Sequence, residues 1–303
     1  MNSGLQEDLD KGDCISCGGS TFESLPYKND LMGVDISFKR CCSCGTICPA
    51  MEPTALDEYV TRYYTTKYHD SFLQRTSKKD ILSKCYRFFA RIVSTGCEYR
   101  FIKKFLTEGS SMLEIGASDG SLIERFSNKG FDCSIIEPDE KFHKQVSEKL
   151  VKVQAYRSIE ELGSRKRKFD MIVLVHVLEH VTRPTLFLKD IKRLLRTDGK
   201  LYIELPNIVH EGILKDSIVD HPHLYHWNLD GAKIFFKSLG FNIEHLEPYS
   251  TRISPYDRPR FASIRKIYYF LAAFFFMKDY YFIKSNGHML RAVLSINSAN
   301  ENE

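Results

Sequence analysis

Three groups of residues in this 303-residue chain have types and spacing that could do chemistry: two cysteine pairs, a glycine turn with an acid beyond it, and a histidine-rich stretch. Cys14 and Cys17 form one C-x-x-C pair, Cys41 and Cys44 the other, and Gly18 and Gly45 follow the pairs at once. Tight turns of this kind let two thiolates reach one tetrahedral ion, so the spacing predicts a zinc site of four sulfurs with no open position for catalysis. Cys42 and Cys48 are spare, and a ligand set that uses one of them stays open. Redox-active dithiols would need a thioredoxin-like βαβ context, and none surrounds the pairs. Further on, the apolar run 112–115, broken only by Glu114, leads directly into Gly116-Ala117-Ser118-Asp119-Gly120. This is the strand-to-helix turn of an open α/β sheet, where glycine lets the backbone approach a nucleotide-like ligand. Ser121 and Glu124 have the spacing of a capping box, so a helix is expected right after Gly120. Glu137 closes the next strand, 131–136, where a carboxylate can accept hydrogen bonds from both ribose hydroxyls. Ser118 replaces the middle glycine of the NAD fingerprint, and Asp119 stands where a pyrophosphate would lie, so a ligand with a positive end fits better.

The turn, Ile136-Glu137-Pro138-Asp139, and Phe169-Asp170 followed by His176-Val177-Leu178-Glu179-His180-Val181 resemble, in order and spacing, the class I S-adenosylmethionine-dependent methyltransferases over roughly residues 109–250. The resemblance implies an α/β, Rossmann-like sheet of seven mostly parallel strands, with S-adenosylmethionine as cofactor. It implies that Glu114, Gly116, Ala117, Asp119 and Gly120 hold the amino-acid end, that Glu137 holds the ribose, and that His176 lies near the methionine part. Two C-x-x-C pairs ahead of such a domain are similar to the group containing bacterial sugar C-methyltransferases and polysaccharide or natural-product tailoring enzymes. In that group an E-H-x-x-x-F-S-type segment supplies a histidine as general base. Here His223 takes that position, with Pro222 in place of the glutamate, and His180 and Tyr225 are the next candidates. The group also has a tyrosine-bearing segment over cofactor and substrate, which would correspond to 56–68 with Tyr59, Tyr63, Tyr64 and Tyr68, although simple interdomain packing explains those tyrosines equally well.

The elements that must position these groups divide the chain into 1–55 (zinc-ribbon-like module), 56–108 (helical linker or lid), 109–250 (cofactor domain) and 251–303 (apolar helical insertion and closing strand). Apolar residues at intervals of three and four predict two amphipathic helices within 78–107. A helix over 140–150, a short strand over 151–154, a charged turn at 164–168 and a buried central strand over 169–175 follow. Then come a helix from Pro184 to Leu195, a strand over 200–205, a helix over 230–239 and strands over 241–248 and 288–296. His210, His221, His223 and His226 crowd the loop between; histidines this dense are either metal ligands or groups for acid–base work and substrate contact. The H-x-x-E-H of 176–180 is not read as a zinc hydrolase motif, because it begins where a strand ends rather than inside a helix. Eleven uninterrupted apolar residues at 267–277 are too few to cross a bilayer; burial is expected, with peripheral membrane contact through 267–282 as the alternative.

A net charge of +4 makes no case for nucleic acid, and the basic run at 165–168 reads as a solvated loop. The N-terminus has no basic start followed by an apolar run, so no signal peptide is expected, and the clustered thiols point to a reducing cytoplasm. The expected function is methyl transfer to a small molecule or a sugar or glycan precursor. A methyltransferase directed at RNA or protein and a noncatalytic S-adenosylmethionine-binding scaffold are the rival readings.

Overall fold

The computed structural model describes residues 13–66, 81–163, 167–209, 211–251, 281–283 and 287–296. The apolar segment 267–277, Tyr68 and His210 lie outside them. No helix among the described residues is long and apolar enough to cross a membrane.

The chain opens with a three-stranded antiparallel sheet of β1 (Phe22–Asn29), β2 (Ile36–Cys41) and β3 (Ile47–Pro49). Ile36 and Phe38 alternate inward on β2 and are buried, as a period of two requires. So few apolar residues cannot make a core alone. They are completed by docking: Ile36, Phe38 and Ile47 share one cluster with Leu113, Leu174 and Trp227 of the larger domain. The seam is also hydrogen-bonded. Ile47 N donates to His226 O at 2.9 Å and His226 N returns to Ile47 O at 3.0 Å. Buried Asn29 donates to the carbonyls of Ile218 (2.8 Å) and His221 (2.7 Å) and accepts from the Tyr59 hydroxyl (2.7 Å).

Tyr59 belongs to α1 (Pro53–Thr66), whose Leu56, Tyr59 and Tyr63 face the core. A single helix, α2 (Ile81–Lys103), replaces the two expected over 78–107. Gly96 lies within it, and Arg125 crosses alongside, donating to Thr95 Oγ1 (2.9 Å) and to the Ile92 carbonyl (2.7 Å).

The large sheet begins with β4 (Ser111–Ile115), β5 (Asp132–Ile136) and β6 (Gln154–Tyr156). The third strand lies later than the expected 151–154, because Tyr156 is the residue that is buried (1% exposed) while Val151 is left 85% exposed. β7 (Phe169–Val175), β8 (Leu195–Pro206), β9 (Phe241–Thr251), β10 (Tyr281–Ile283) and β11 (Met289–Ile296) complete it in the order β10-β9-β11-β8-β7-β4-β5-β6. Pairs from β6 to β8 are parallel, and β11 inserts antiparallel between β8 and β9. This is the seven-stranded, mostly parallel class I arrangement, with the short β10 added at one edge.

Helices α3 (Ser121–Ser127), α4 (Glu140–Lys149), α5 (Ile159–Gly163), α6 (Pro184–Leu194), α7 (Glu211–Val219) and α8 (Leu229–Ser238) link the strands, and a 3₁₀ turn spans Leu178–His180. α7 occupies part of what the sequence suggests is loop. The capping box at Ser121 does not form. Gly120, at φ 70°, is the N-cap, so Ser121 is already helical; its hydroxyl donates to Asp119 Oδ1 (2.6 Å), and Glu124 pairs with Lys149 instead (2.6 Å).

Candidate functional site

The carboxyl ends of the parallel strands form the rim where ligands of such sheets bind. At the end of β4, Gly116 has φ 73°, and a Cβ there would lie 2.7 Å from Val177 Cγ2, so the turn and the segment after β7 approach each other only through glycine. Ser118 (φ 52°) and His176 (φ 55°) also adopt left-handed backbone without being glycine, one on each of the two loops that flank the rim. Glu137 ties the first of these loops down. Its Oε2 accepts from Ser118 N (2.7 Å) and its Oε1 from Asp139 N (3.0 Å), and burial, with Asp139 close by, pushes its carboxyl up to about 7. Asp119 accepts from Ser121 N (3.0 Å) and ion-pairs with Arg91 of α2. Glu114 lies beneath, accepting from Ile123 N (3.0 Å); burial and the nearby Glu98 raise its carboxyl to about 8.

Two cavities meet at Gly116. The larger, about 550 Å³, runs from Glu137, Pro138 and Asp139 past Ile159 to His176, Val177 and His180, under Asp57, Val60 and Tyr64 of α1. The smaller, about 420 Å³, is lined by Glu114, Ala117 and Ser118 together with Arg91, Ser94 and Glu98 of α2. The expected cofactor residues therefore gather at one rim: Gly116 touches both spaces, Glu114 and Ala117 the smaller, Glu137 and His176 the larger. Asp119 and Gly120 shape the turn between them. Arg91 and Glu98 were not singled out by sequence, because on a long helix they read as a solvated face and their partners are far away in the chain.

The 3₁₀ turn after β7 carries a second group. Glu179 is fully buried, and its main-chain oxygen accepts from Leu224 N (2.7 Å) and Tyr225 N (3.2 Å), which pins the histidine loop against the rim. Its Oε1 lies 3.1 Å from His176 Nδ1 and 3.9 Å from His223 Nε2; burial opposes its ionisation, but the His176 hydrogen bond and the surrounding imidazoles hold its carboxyl below the ordinary value. His180 Nδ1 meets the Pro222 carbonyl at 3.1 Å, and His223 Nδ1 meets the Ser217 hydroxyl at 2.8 Å. The rings of His180 and His223 are 4.6 Å apart in edge contact, and those of His221 and His223 stack at 5.0 Å. Burial and the neighbouring imidazoles hold the His223 pKa well below that of free histidine. Pro222 therefore gives His180 a carbonyl, and the carboxylate nearest His223 Nε2 is that of Glu179, 3.9 Å away. Tyr225 turns its hydroxyl to the Thr182 carbonyl (3.1 Å) and lines a separate cavity beside Cys48 and Arg183.

A family model described as a methyltransferase domain matches residues 73–263, well over half of the chain. The chain belongs to the methyltransferase-domain family. Solved structures with the same fold include the plantazolicin methyltransferase BamL in complex with a triazolic desmethylPZN analog and SAH, 13% identical over 80% of this chain and 96% of that one, with a TM-score of 0.54. A SAM-dependent methyltransferase from Archaeoglobus fulgidus is 16% identical over 75% of this chain and 99% of its own, with a TM-score of 0.51. The plantazolicin methyltransferase BpumL, also with SAH, is 16% identical over 81% and 100% at the same TM-score of 0.51. No curated protein matches the chain. The enzyme is thus an S-adenosylmethionine-dependent methyltransferase.

In this methyltransferase the four sulfurs of Cys14, Cys17, Cys41 and Cys44 all lie within 4.8 Å of one another, with Cys14 to Cys44 and Cys17 to Cys41 both at 3.5 Å. A tetrahedral zinc thiolate site has sulfurs about 3.8 Å apart, so the set fits the ion. Cys42 is exposed, and Cys48 is buried in the apolar cluster beside Cys14, outside the group of four mutually close sulfurs. Gly45 (φ 75°) has no room for a side chain: a Cβ would sit 2.5 Å from Asn228 Nδ2.

Proposed function

We propose that this methyltransferase moves the methyl group of S-adenosylmethionine to a small-molecule acceptor, a sugar or glycan precursor being the class its N-terminal cysteine module favours. The observation that carries this reading is the continuous cavity from Glu137 to His180 under α1. Its volume suits an adenosyl group plus a compact acceptor. A roof of Asp57, Val60 and Tyr64 over the rim argues against a folded protein or RNA as acceptor.

In this reading Glu137 takes the ribose hydroxyls, Pro138 and Ile159 flank the adenine, and Gly116 with Ala117 and His176 meets the methionine part. The ammonium and carboxylate extend toward Glu98 and Arg91, which supply opposite charges. The acceptor's nucleophile attacks in line as the methyl–sulfur bond breaks and its electron pair stays on sulfur. Positioning and removal of water from the sulfonium do most of the work. His180 lines the cavity and is the group in position to meet the acceptor, whereas His223 stands behind it, 8% exposed, and holds it through ring contact. The expected first choice, His223, thus acts through His180, and Tyr225 serves as wall. The cysteine module, 1–55, holds a structural zinc ion ahead of a helical segment, 56–108, the cofactor domain, 109–250, and a closing part, 251–303, in a cytoplasmic enzyme.

Calorimetry with S-adenosylhomocysteine tests the cofactor half. Micromolar binding that Glu137→Ala weakens at least tenfold is the expected result. Absence of binding by well-folded protein would overturn the reading in favour of a scaffold.

A further inference from the structure

We propose a second metal site at Glu179, His180 and His223, which takes a divalent transition cation of the zinc type and uses it to hold and acidify a hydroxyl of the acceptor. The proposal rests on the methyltransferase reading for its chemistry but not for its geometry. One ligand atom from each of the three residues lies within 4.8 Å of the other two. Two imidazole nitrogens and one carboxylate oxygen are a donor set that zinc accepts in catalytic sites, with a further position left for water or substrate.

Two features distinguish this group from a chance cluster. Each histidine has its Nδ1 engaged from outside, His180 by the Pro222 carbonyl and His223 by the Ser217 hydroxyl, which leaves both Nε2 atoms for an ion. Ligating histidines show this arrangement, because the outer hydrogen bond fixes both tautomer and ring orientation. The second feature is Glu179. Its Oε1 is shared with His176, but its Oε2 is buried and has no hydrogen-bond partner among the described residues, at a position 0% exposed. A bare carboxylate oxygen in such a place is costly, and a cation on the carboxylate removes the cost.

The site is also placed for use. His180 lines the cavity beside His176, so an acceptor oxygen can reach an ion held by His180 from the side where the methyl group would arrive. The ion lowers the pKa of a bound hydroxyl as it does that of bound water. The O–H bond breaks and its proton leaves to solvent. The oxygen then forms its bond to the methyl carbon while the carbon–sulfur bond breaks, giving the methyl ether and S-adenosylhomocysteine. No redox partner is needed.

Full-length protein carrying zinc on its cysteines is titrated with Co²⁺, read by calorimetry and by visible absorption. The His/Glu site gives d–d bands without the strong thiolate charge-transfer band that cobalt on the cysteines would give. One equivalent of micromolar Co²⁺ is expected in the wild type. Glu179→Gln and His180→Gln each weaken it at least tenfold, and Cys44→Ser leaves the d–d bands in place. Both site variants are checked by circular dichroism and S-adenosylhomocysteine binding. No Co²⁺ signal beyond the cysteine site, or a signal indifferent to both site variants, overturns the proposal. Should Co²⁺ bind as described while S-adenosylhomocysteine does not, the metal site stands and the cofactor reading falls; binding of S-adenosylhomocysteine alone leaves that reading and removes the metal site.

Discussion

In the proposed cofactor site, Glu137 should couple binding to pH. Its carboxyl is raised to about 7 by burial at the rim, well above its value in an unfolded chain. A raised acid favours the folded state while it is protonated. That contribution is complete below the unfolded pKa and is lost as pH climbs through about 7. Glu137→Gln is therefore expected to raise the melting temperature of the cofactor-free protein at pH 8 and to leave it nearly unchanged at pH 4.5, as thermal melts at the two pH values will show. Ribose hydroxyls donate to the ionised form, so S-adenosylhomocysteine affinity should rise from pH 6 to pH 8 with release of a proton. Calorimetry in buffers of different ionisation enthalpy measures that proton, and Glu137→Gln should abolish it. At Gly116 the expectation is steric. Alanine would have to adopt φ 73° and displace Val177, costing about 1–2 kcal/mol in backbone alone, so Gly116→Ala should bind S-adenosylhomocysteine at least tenfold more weakly. Both residues were legible in the sequence, because turn and strand end are local patterns. Glu179 was visible only as part of H-x-x-E-H; its place opposite Pro222 depends on where a loop some 40 residues later comes to rest.

At the scale of elements, the connection between β1 and the histidine loop runs through one amide. Asn29→Ala would leave two carbonyls and the Tyr59 hydroxyl without a partner in a buried place, for a loss of about 3 kcal/mol. Tyr59→Phe removes a single hydroxyl donor to Asn29 Oδ1, and about 1 kcal/mol is expected. Urea denaturation midpoints of the two variants decide whether the ordering holds. Helices and strands with strong periodicity were readable, and β7 is found over the expected 169–175. The failures have physical causes. Two expected helices are one, α2, because a single glycine, Gly96, weakens a helix without ending it. The third strand moves to Gln154–Tyr156 because Tyr156 is buried while the apolar Val151 is left exposed. α7 escaped notice because histidines on either side of it drew the whole stretch into one loop.

For the molecule as a whole, the cysteine-bearing sheet and the cofactor domain bury their apolar residues in one cluster. They are expected to unfold together. Differential scanning calorimetry should give one transition, and a strong chelator should move that transition down rather than split off a smaller one, because removal of the ion loosens β2 and β3 and so the cluster they share. Hydrogen exchange at the amides of Ile47 and His226 should quicken in parallel, since each closes on the other's carbonyl. Sequence could supply a sheet of seven mostly parallel strands, through family resemblance, and the paucity of apolar residues between the cysteine pairs. It could not supply the docking, which depends on surfaces that exist only once both parts are folded. That docking has a bearing on ancestry and on engineering. The cysteine-bearing sheet touches the stretch at 223–227 backbone to backbone through Ile47 and His226, so a recombinant that takes one from this chain and the other from a relative inherits a mismatched pair. Acceptor preference should pass between relatives only when both stretches are exchanged together.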